Sequence, residues 1–350
     1  MRCWSASRLG STGWSPLRRS PEFWERPGPL STLLAPLGWA FGAAGRLRRA
    51  AATPWRAPVP VLCVGNLVVG GAGKTPVAMN LAQRLIERGE HPHLLSRGYG
   101  GALAGPVQVD PARHGYREVG DEALLLARVA PTWIARDRAA GAKAAIAAGA
   151  TVLVLDDGFQ NPSLVQDLKF LVVDGLYGFG NGHVMPAGPL REPAAPGLAR
   201  ADAVVVMGEG EPRFAAPPGA PPVLHAHLVL REGASALRGA CVVAFAGIGR
   251  PQKFFEFLDR HGARVVARHA FADHQPYSAA ALEPILAEAA RTGAQVLTTE
   301  KDAVRIPAAL RDRITPVPVA VRWDDTAMLD ALLDKHVPRQ VVRGEPAPAR

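Results

Sequence analysis

From residue 58 onward, short apolar runs alternate with longer segments in which apolar residues recur at helical spacing. The short runs are typical of buried parallel strands, and the longer segments are typical of amphipathic helices. We predict strands at 59–65, 92–96, 132–135, 151–156, 169–173 and 203–207, and helices at 74–88, 121–130 and 138–148. This alternation predicts a doubly wound parallel sheet with helices on both faces.

A second pattern of the same kind follows a glycine- and proline-rich stretch at 208–222, which we interpret as a linker. Its predicted strands are 241–246, 264–268, 295–299 and 315–320, and its predicted helices lie near 251–261 and 278–291. We therefore expect an α/β protein in three parts, which are an N-terminal segment over 1–57, a core domain over 58–210 and a smaller α/β domain over 211–350.

The first predicted strand and helix are joined by a glycine-rich turn, "VGNLVVGGAGKTP" at 64–76. It departs from the usual phosphate loop G-x-x-x-x-G-K-[ST], because Val68 stands where that pattern has its first glycine. Free N–H groups at a helix start bind phosphate, and the side-chain-free residues Gly70, Gly71 and Gly73 would let it approach. Lys74 could then reach the outer phosphates of ATP, and Thr75 could ligate magnesium. A simple βα turn is the alternative.

Two segments place carboxylates at the ends of predicted elements. "TVLVLDDGFQ" at 151–160 ends a strand with Asp156, where phosphate-loop proteins keep a magnesium-binding acid, and Asp157 could share the metal or hold one of its waters. An Asp-Asp-Gly turn is the alternative. "EVGDEALLLARVA" at 118–130 puts Asp121 and Glu122 at a helix start, where Asp121 could cap the helix or accept a proton from an attacking hydroxyl.

Three later segments carry further polar groups. "FADHQPYS" at 271–278 gathers Asp273, His274 and Tyr277 in one loop, which is either a functional cluster or a structural histidine with polar neighbours. The long loop at 175–197 breaks the α/β rhythm, and its length favours a functional loop over a disordered one. "TTEKDAVR" at 298–305 differs in spacing from the guanine-reading motif [NT]-K-x-D, which counts against a GTPase.

Most of the positive charge lies near the N-terminus. Nine arginines and two glutamates in residues 1–56 contribute +7 of the formal net charge of +9. The apolar, uncharged run at 30–45 is shorter than the roughly 20 residues that span a bilayer, and arginines follow it at once. This pattern favours a segment lying in a membrane surface, while a secretory signal or an ordinary packed helix are the alternatives. Residues 1–20 are interpreted as a disordered extension or a misplaced start.

The chain length limits the number of domains, and the cysteine content limits the kinds of structural site that the chain could contain. A chain of 350 residues is long enough for two domains. Cys3, Cys63 and Cys241 are widely separated and form no C-x-x-C pair. This argues against a disulfide framework or a zinc site and suits a reducing compartment.

Taken in order, the motifs resemble those of the tetraacyldisaccharide 4'-kinases, the kinases of lipid A synthesis. They are "GNLVVGGAGKTP", "SRGYGG", "GDEALLLA", "DDGFQ", "VVDG…GFGNG…MPAGPLRE", "FADHQPYS" and "TTEKDAVR", and they extend from about residue 23 to about residue 332. The resemblance implies ATP- and Mg²⁺-dependent phosphorylation of the 4'-hydroxyl of tetraacyldisaccharide 1-phosphate to lipid IVA. It implies a phosphate-loop core and a smaller α/β domain with the active site between them.

The resemblance also implies a setting and a set of partners. The setting is the cytoplasmic face of the bacterial inner membrane, with peripheral or monotopic attachment. The partners are the lipid A disaccharide 1-phosphate and an anionic membrane surface, with no nucleic acid and no known protein partner.

The resemblance implies roles for individual residues. Asp121 resembles the catalytic acid, paired with His274; Arg191 and Glu192 match a loop pair near the reacting groups; Arg138 matches a basic residue of the site. The nucleotide loop includes Asn66, Gly70, Gly71, Ala72, Gly73, Lys74 and Thr75, and the metal region includes Thr75, Asp156 and Asp157. Asn161 replaces the histidine that usually follows "DDGFQ", and Gln166 replaces a common basic residue.

A phosphate-loop ATPase of the membrane-partitioning or maturation type, acting on a partner protein, is the rival interpretation. It would share the Gly-Gly-x-Gly-Lys-Thr turn and the basic membrane contact. It would not need the "GDE" and "DHQPY" clusters or the long loop at 175–197.

Overall fold

The structure is a computed structural model that describes residues 21–209, 214–231 and 237–338. The expectations for residues 1–20, for part of the predicted linker and for the chain beyond residue 338 lie outside the described residues. Within these ranges the chain alternates strands and helices around a large, mostly parallel sheet, which confirms the predicted α/β fold class.

The strands are β1 (Val61–Gly65), β2 (Pro92–Ser96), β3 (Val107–Gln108), β4 (Thr132–Ile134), β5 (Val152–Asp156), β6 (Leu168–Asp174), β7 (Ala203–Met207), β8 (Val223–Leu230), β9 (Cys241–Ala246), β10 (Arg264–Ala270), β11 (Gln295–Thr299), β12 (Thr315–Val317) and β13 (Val319–Trp323). The α-helices are α1 (Pro29–Ala50), α2 (Lys74–Glu87), α3 (Tyr116–Val119), α4 (Asp121–Leu126), α5 (Arg138–Ala147), α6 (Ala194–Leu198), α7 (Pro251–Arg260), α8 (Ala279–Thr292), α9 (Glu300–Ala303) and α10 (Thr326–His336). Short 3₁₀ helices cover Glu22–Trp24 and Ala308–Arg313.

The larger sheet places β1 at its centre. In the described chain its strand order is β13-β8-β7-β6-β1-β5-β2-β4-β3, and β1 pairs in parallel with both β5 and β6. Every residue of β1 and β5 is buried, which explains their unbroken apolar sequences. Helix α2 packs Val77, Leu81 and Leu85 into the same core.

The carboxyl ends of β1, β5 and β6 lie side by side at one edge of this sheet, because the three strands are parallel neighbours. The glycine-rich turn follows β1, Asp156 ends β5 and Asp174 ends β6. Open α/β sheets bind ligands outside the carboxyl ends of strands, at the point where the strand order reverses. The topology therefore gathers the predicted nucleotide and metal residues at one edge.

The smaller sheet has the order β10-β9-β11-β12, and its strands are parallel. Phenylalanines of α7 and apolar residues of α8 pack in the cores beside it. We call residues 237–317 the small lobe and the rest of the described chain the large lobe.

The predicted division at residues 210 and 211 differs from the division between the sheets. Strands β7 and β8 lie on opposite sides of that position, yet they pair in parallel in the larger sheet. The predicted strand 315–320 is two strands, β12 in the small lobe and β13 in the large lobe, with Pro318 between them. Proline has no N–H to donate to a ladder, which suits a position where the chain changes sheets. Helix α10 then buries Leu329 and Leu333 in the large-lobe core.

The small lobe meets the large lobe directly over the glycine-rich turn. A Cβ added at Gly249 would lie 3.1 Å from the backbone nitrogen of Gly71, so the absence of a side chain lets the two backbones approach closely here. Beside this contact, the buried carboxylate of Asp174 pairs with Arg250 at 2.7 Å and with Lys253. The closeness of the two backbones and the charge pairing fix where the lobes meet.

Helix α1 packs by its small residues. A Cβ at Gly38 would lie 2.6 Å from the carbonyl oxygen of Val184, so the helix can contact the long loop only through glycine there. Its other face leaves Leu33, Trp39 and Leu47 exposed to 75%, 72% and 70%. Among the described residues, no helix is long and apolar enough to cross a membrane.

Candidate active site

The glycine-rich turn after β1 forms an open cradle. Gly70 has φ of 113° and Gly73 has φ of 93°, values that residues with a Cβ rarely adopt. A Cβ added at Gly70 or Gly71 would meet no heavy atom within 4 Å, so the space beside these residues is open. In the described chain no side chain caps the start of α2, and its first N–H groups are therefore available to an anion.

Asn66 and Ala72 support this turn from the protein interior. Asn66 is fully buried, and its Nδ2 donates to the carbonyl oxygen of Gly70 at 3.4 Å. The Ala72 side chain lies in the large-lobe core. The structure therefore places these two side chains behind the turn, and the open side of the turn is formed by backbone and by glycines.

The two aspartates after β5 lie beneath the start of α2. The Thr75 hydroxyl donates to Asp156 Oδ2 at 3.0 Å. Asp157, with φ of 57°, has its Oδ1 2.8 Å from an Arg191 guanidinium nitrogen and 3.7 Å from Lys74 Nζ. The structure thus brings together Lys74, which is predicted to contact phosphate, and the predicted magnesium residues Thr75, Asp156 and Asp157.

The pKa values of Asp156 and Asp157 are shifted in opposite directions. Burial, followed by the charge of Glu122, raises the pKa of Asp156 to about 7. Burial acts in the same direction on Asp157, but the charges of Lys74 and Arg191 outweigh it, so the pKa of Asp157 lies below its ordinary value. The charge of Lys74 acts in the opposite direction on Asp156 but does not outweigh burial and Glu122.

These groups fit a magnesium ion. Asp156 Oδ1 is buried and has no hydrogen-bond partner among the described residues, and a hydroxyl lies at the other oxygen. No group of three or more His, Cys, Asp or Glu suited to a metal occurs in the described ranges. Mg²⁺ is usually held by one or two carboxylates together with substrate phosphates, so Thr75, Asp156 and Asp157 suffice.

The long loop at 175–197 places Arg191 beside Asp157 and places Glu192 beside helix α1. Its backbone is attached to the glycine-rich turn, since Arg191 N donates to Leu67 O at 2.7 Å. Glu192 is buried and pairs with Arg49 of α1 at 3.0 Å and with Arg200 at 2.8 Å. Burial alone would raise the pKa of Glu192, but these arginines lower it below its ordinary value. Glu192 thus links α1 to the loop that carries Arg191.

Arg138 lies at the start of α5 and is buried. Burial lowers its pKa to about 10, and the nearby charge of Asp157 acts in the opposite direction. Its guanidinium donates to the carbonyl oxygen of Ala135, and its Nε has no partner among the described residues. Arg138 therefore supplies positive charge from behind the acid pair.

Asp121 and His274, 153 residues apart, meet between the lobes. His274 Nδ1 lies 3.0 Å from both carboxylate oxygens of Asp121. The residue at the cap position of α4 is Gly120, so Asp121 is not the N-cap that one interpretation of the sequence expected. Burial would raise the pKa of Asp121, but the hydrogen bond with His274 and the charge of Lys301 outweigh it and lower the pKa.

Two basic residues that the sequence analysis did not assign complete this cluster. Lys301 Nζ lies 3.0 Å from Glu122 Oε1 and 3.2 Å from His274 Nε2. Arg305 is buried, with its Nε 3.5 Å from Asp121 Oδ2. The signal was available in "TTEKDAVR", where charged residues directly follow a buried strand at the sheet edge.

Tyr277 and Asp302, from the "FADHQPYS" and "TTEKDAVR" segments, form hydrogen bonds inside the small lobe. The buried Tyr277 hydroxyl donates to Asp302 Oδ1 at 2.7 Å, and the Gly247 backbone nitrogen donates to the same oxygen at 2.9 Å. Arg305 also pairs with Asp302. Asp302 therefore holds the loop of His274 and the start of α9 together inside the small lobe.

Asn161 and Gln166, where the chain departs from the usual motif, lie in the segment after β5. Gln166 Nε2 donates to the carbonyl oxygen of Gly158 at 2.8 Å. Asn161 Oδ1 accepts from the Ser163 backbone nitrogen at 2.9 Å. Both side chains therefore make hydrogen bonds to the backbone of this same segment.

Comparison with known proteins identifies the family. Residues 30–338 match the family model described as Tetraacyldisaccharide-1-P 4'-kinase. The Tetraacyldisaccharide 4'-kinase of Rhodospirillum centenum is 56% identical over 322 residues, covering 90% of this chain and 96% of the relative. The protein of the same name from Paramagnetospirillum magneticum is 53% identical over 320 residues, covering 91% and 98%.

A solved structure agrees with these relatives. The crystal structure of "apo" form LpxK from Aquifex aeolicus in complex with ATP is similar with a TM-score of 0.72 and 27% sequence identity, covering 87% of this chain and 99% of that chain. With the family model matched over most of its length and relatives more than half identical, the chain belongs to the tetraacyldisaccharide 4'-kinase family.

Proposed function

We propose that this chain transfers the γ-phosphate of ATP to the 4'-hydroxyl of tetraacyldisaccharide 1-phosphate, giving lipid IVA, at a site between the two lobes. The observation that carries the proposal is the pairing of Asp121 with His274 across the lobes. The neighbouring residue Glu122 is close enough to Asp156 to raise its pKa, so the pair and the phosphate loop share one space.

The large lobe binds the nucleotide. The N–H groups at the start of α2 and the Lys74 ammonium would hold the phosphates, while Thr75, Asp156 and Asp157 would hold Mg²⁺. When bound, Mg²⁺ neutralises charge that develops on the phosphates. Arg191, which contacts Asp157 at 2.8 Å, and the buried Arg138 add positive charge on the same side. These groups would act by electrostatic stabilisation of the transferring phosphate, and none of them would form a covalent bond to it.

The hydroxyl proton goes to Asp121. A sugar hydroxyl is a weak nucleophile, so a positioned base assists its attack on the γ-phosphorus. Asp121 is held ionised by its neighbours and is therefore able to accept this proton. His274 Nδ1 orients the carboxylate.

Helix α1 seats the enzyme on a membrane. Its C-terminal end carries Arg46, Arg48 and Arg49, of which Arg46 and Arg48 are exposed. Apolar side chains beside basic residues bind the interface of an anionic bilayer. We infer that α1 lies in the cytoplasmic surface of the inner membrane, where an acylated substrate resides.

Direct assay separates the kinase from the rival ATPase. The purified full chain is incubated with labelled ATP and Mg²⁺, with and without the disaccharide lipid dispersed in detergent micelles. We expect label to enter the lipid fraction. Release of inorganic phosphate at the same rate with and without lipid, and an unlabelled lipid, would contradict the kinase proposal and support the ATPase.

Lys74→Ala should abolish turnover while the protein stays folded, because the ammonium stabilises charge on the transferring phosphate. The measurements are kcat at saturating Mg-ATP and the thermal midpoint. Lys335→Ala, which changes an exposed lysine of α10, is the control. An unchanged kcat in Lys74→Ala would overturn the phosphate-loop interpretation.

Asp121→Asn and His274→Ala should each lower kcat by roughly 10²–10⁴-fold, because they remove the proton acceptor or its orienting partner. The double variant should be little worse than the worse single variant, since residues that act as a unit are non-additive. ATP affinity should change little in all three. Normal turnover in Asp121→Asn, or losses that multiply in the double variant, would argue against the pair.

The triple variant Leu33→Gln/Trp39→Gln/Leu47→Gln should bind anionic vesicles less than the wild type, because it removes the exposed apolar face of α1. Arg46→Gln/Arg48→Gln should weaken binding by about 1 kcal/mol per arginine and reduce its salt dependence. Met328→Gln, at an exposed apolar residue of α10, is the control. Equal co-sedimentation of all four proteins would show that α1 is only a packed helix.

A further inference from the structure

Lys301 is the one ammonium group that reaches the Asp121–His274 pair in the described residues. It belongs to the first turn of α9 in the small lobe, and its Nζ lies 3.0 Å from Glu122 Oε1 of the large lobe. The same Nζ is 3.2 Å from His274 Nε2 and 3.8 Å from Asp273 Oδ1. Lys301 therefore contacts the imidazole on the side opposite Asp121.

The chemistry of these groups determines where the imidazole carries its proton. An ammonium group has three donors and no acceptor, so His274 Nε2 can pair with Lys301 only as an acceptor without a proton. An ionised carboxylate only accepts, so His274 Nδ1 must carry the proton that points to Asp121. The two contacts are satisfied together by a neutral ring with its proton on Nδ1, and by no other form of the imidazole.

The charges around Lys301 favour its ammonium form. Burial would lower the pKa of Lys301, but the charges of Glu122, Asp121 and Asp273 outweigh this, so its pKa lies above the ordinary lysine value. The alternative, a neutral lysine beside an imidazolium, would leave three carboxylates facing a weaker donor.

We propose that Lys301 is a positioning residue that holds His274 as the neutral tautomer protonated on Nδ1, so that His274 orients Asp121 and Asp121 alone takes the substrate proton. The catalytic consequence rests on the proposed function. Lys301 and His274 both belong to the small lobe, and Asp121 joins them only when the small lobe is docked on the large lobe.

Without Lys301, His274 Nε2 would lose the donor that keeps it free of a proton. The groups facing the imidazole would then be mainly acidic, and an imidazolium would satisfy Asp121 and Asp273 at once. An imidazolium holds the Asp121 carboxylate more strongly and makes it a poorer proton acceptor. The groups that face the ring from all neighbouring elements are Asp121, Glu122, Asp273, Lys301, Tyr99 and, through Asp121, Arg305.

The test is the nitrogen spectrum of His274 in the full-length protein labelled with ¹⁵N-histidine at neutral pH. The signals are assigned by their absence in His274→Gln. In the wild type we expect Nε2 at the position of a nitrogen without a proton and Nδ1 at that of a protonated nitrogen. In Lys301→Met, Nε2 should move towards the protonated position, whereas Lys301→Arg and the exposed control Lys335→Met should keep the wild-type pattern.

Kinetics give the second measurement. Lys301→Met should lower kcat by less than the roughly 10²–10⁴-fold expected for Asp121→Asn, with the KM for ATP nearly unchanged. The acid limb of its pH–rate profile should move to higher pH, because the ring must lose a proton before Asp121 can act. Lys301→Arg should restore most of the rate.

The wild-type spectrum can overturn the inference by itself, even if Lys301→Met does not fold. A protonated Nε2 in the wild type, or an identical His274 spectrum in folded Lys301→Met, would show that Lys301 does not set the tautomer. These outcomes are independent of turnover. A chain with the expected spectrum that fails to phosphorylate the lipid would contradict the proposed function and leave the tautomer assignment standing.

Discussion

Charge pairing between the two lobes is the constraint on which the site depends, because Asp121 and His274 belong to different lobes. On the β6 side of β1, Asp174 pairs with Arg250 and Lys253. On the other side, α4 presents Asp121 and Glu122 to the loop of His274 and to α9. The glycine-rich turn lies between these two contacts, with Gly249 directly against it. Any shift of the small lobe therefore changes its contact with the turn and the Asp121–His274 pair together.

These charge pairs specify geometry more than they add stability. Asp174 and Arg305 are almost fully removed from water, and the cost of desolvating such groups is comparable to what the pairing returns. Removing one partner would leave an uncompensated buried charge, which is far more costly than the intact pair. The stability of each lobe comes instead from its apolar clusters.

The sequence predicted the elements whose signals are local. Most strand ranges, including β2, β7, β9 and β11, agree with the structure because buried strands have continuous apolar runs and glycine marks the turn before α2. The pairing of β8 and β13 with the large sheet was missed, since it depends on contacts between distant segments. Lys301 was missed for the same reason. Its chemistry follows from His274, which meets it only in the folded small lobe, and from Glu122, which meets it only through lobe docking.

Helix α1 and the two aspartates after β5 are connected through two consecutive residues with different neighbours. Arg191 contacts Asp157, whereas Glu192 accepts from Arg200 and pairs with Arg49 of α1. A displacement of α1 would therefore pull on the loop segment that carries Arg191. At the same time Gly38 lets one face of α1 pack closely against the long loop, and the opposite face exposes Leu33, Trp39 and Leu47. If that face lies in a bilayer surface, the orientation of the active-site edge relative to the membrane is set by these few contacts. The acylated end of a substrate can then remain in the lipid while its sugar reaches Asp121.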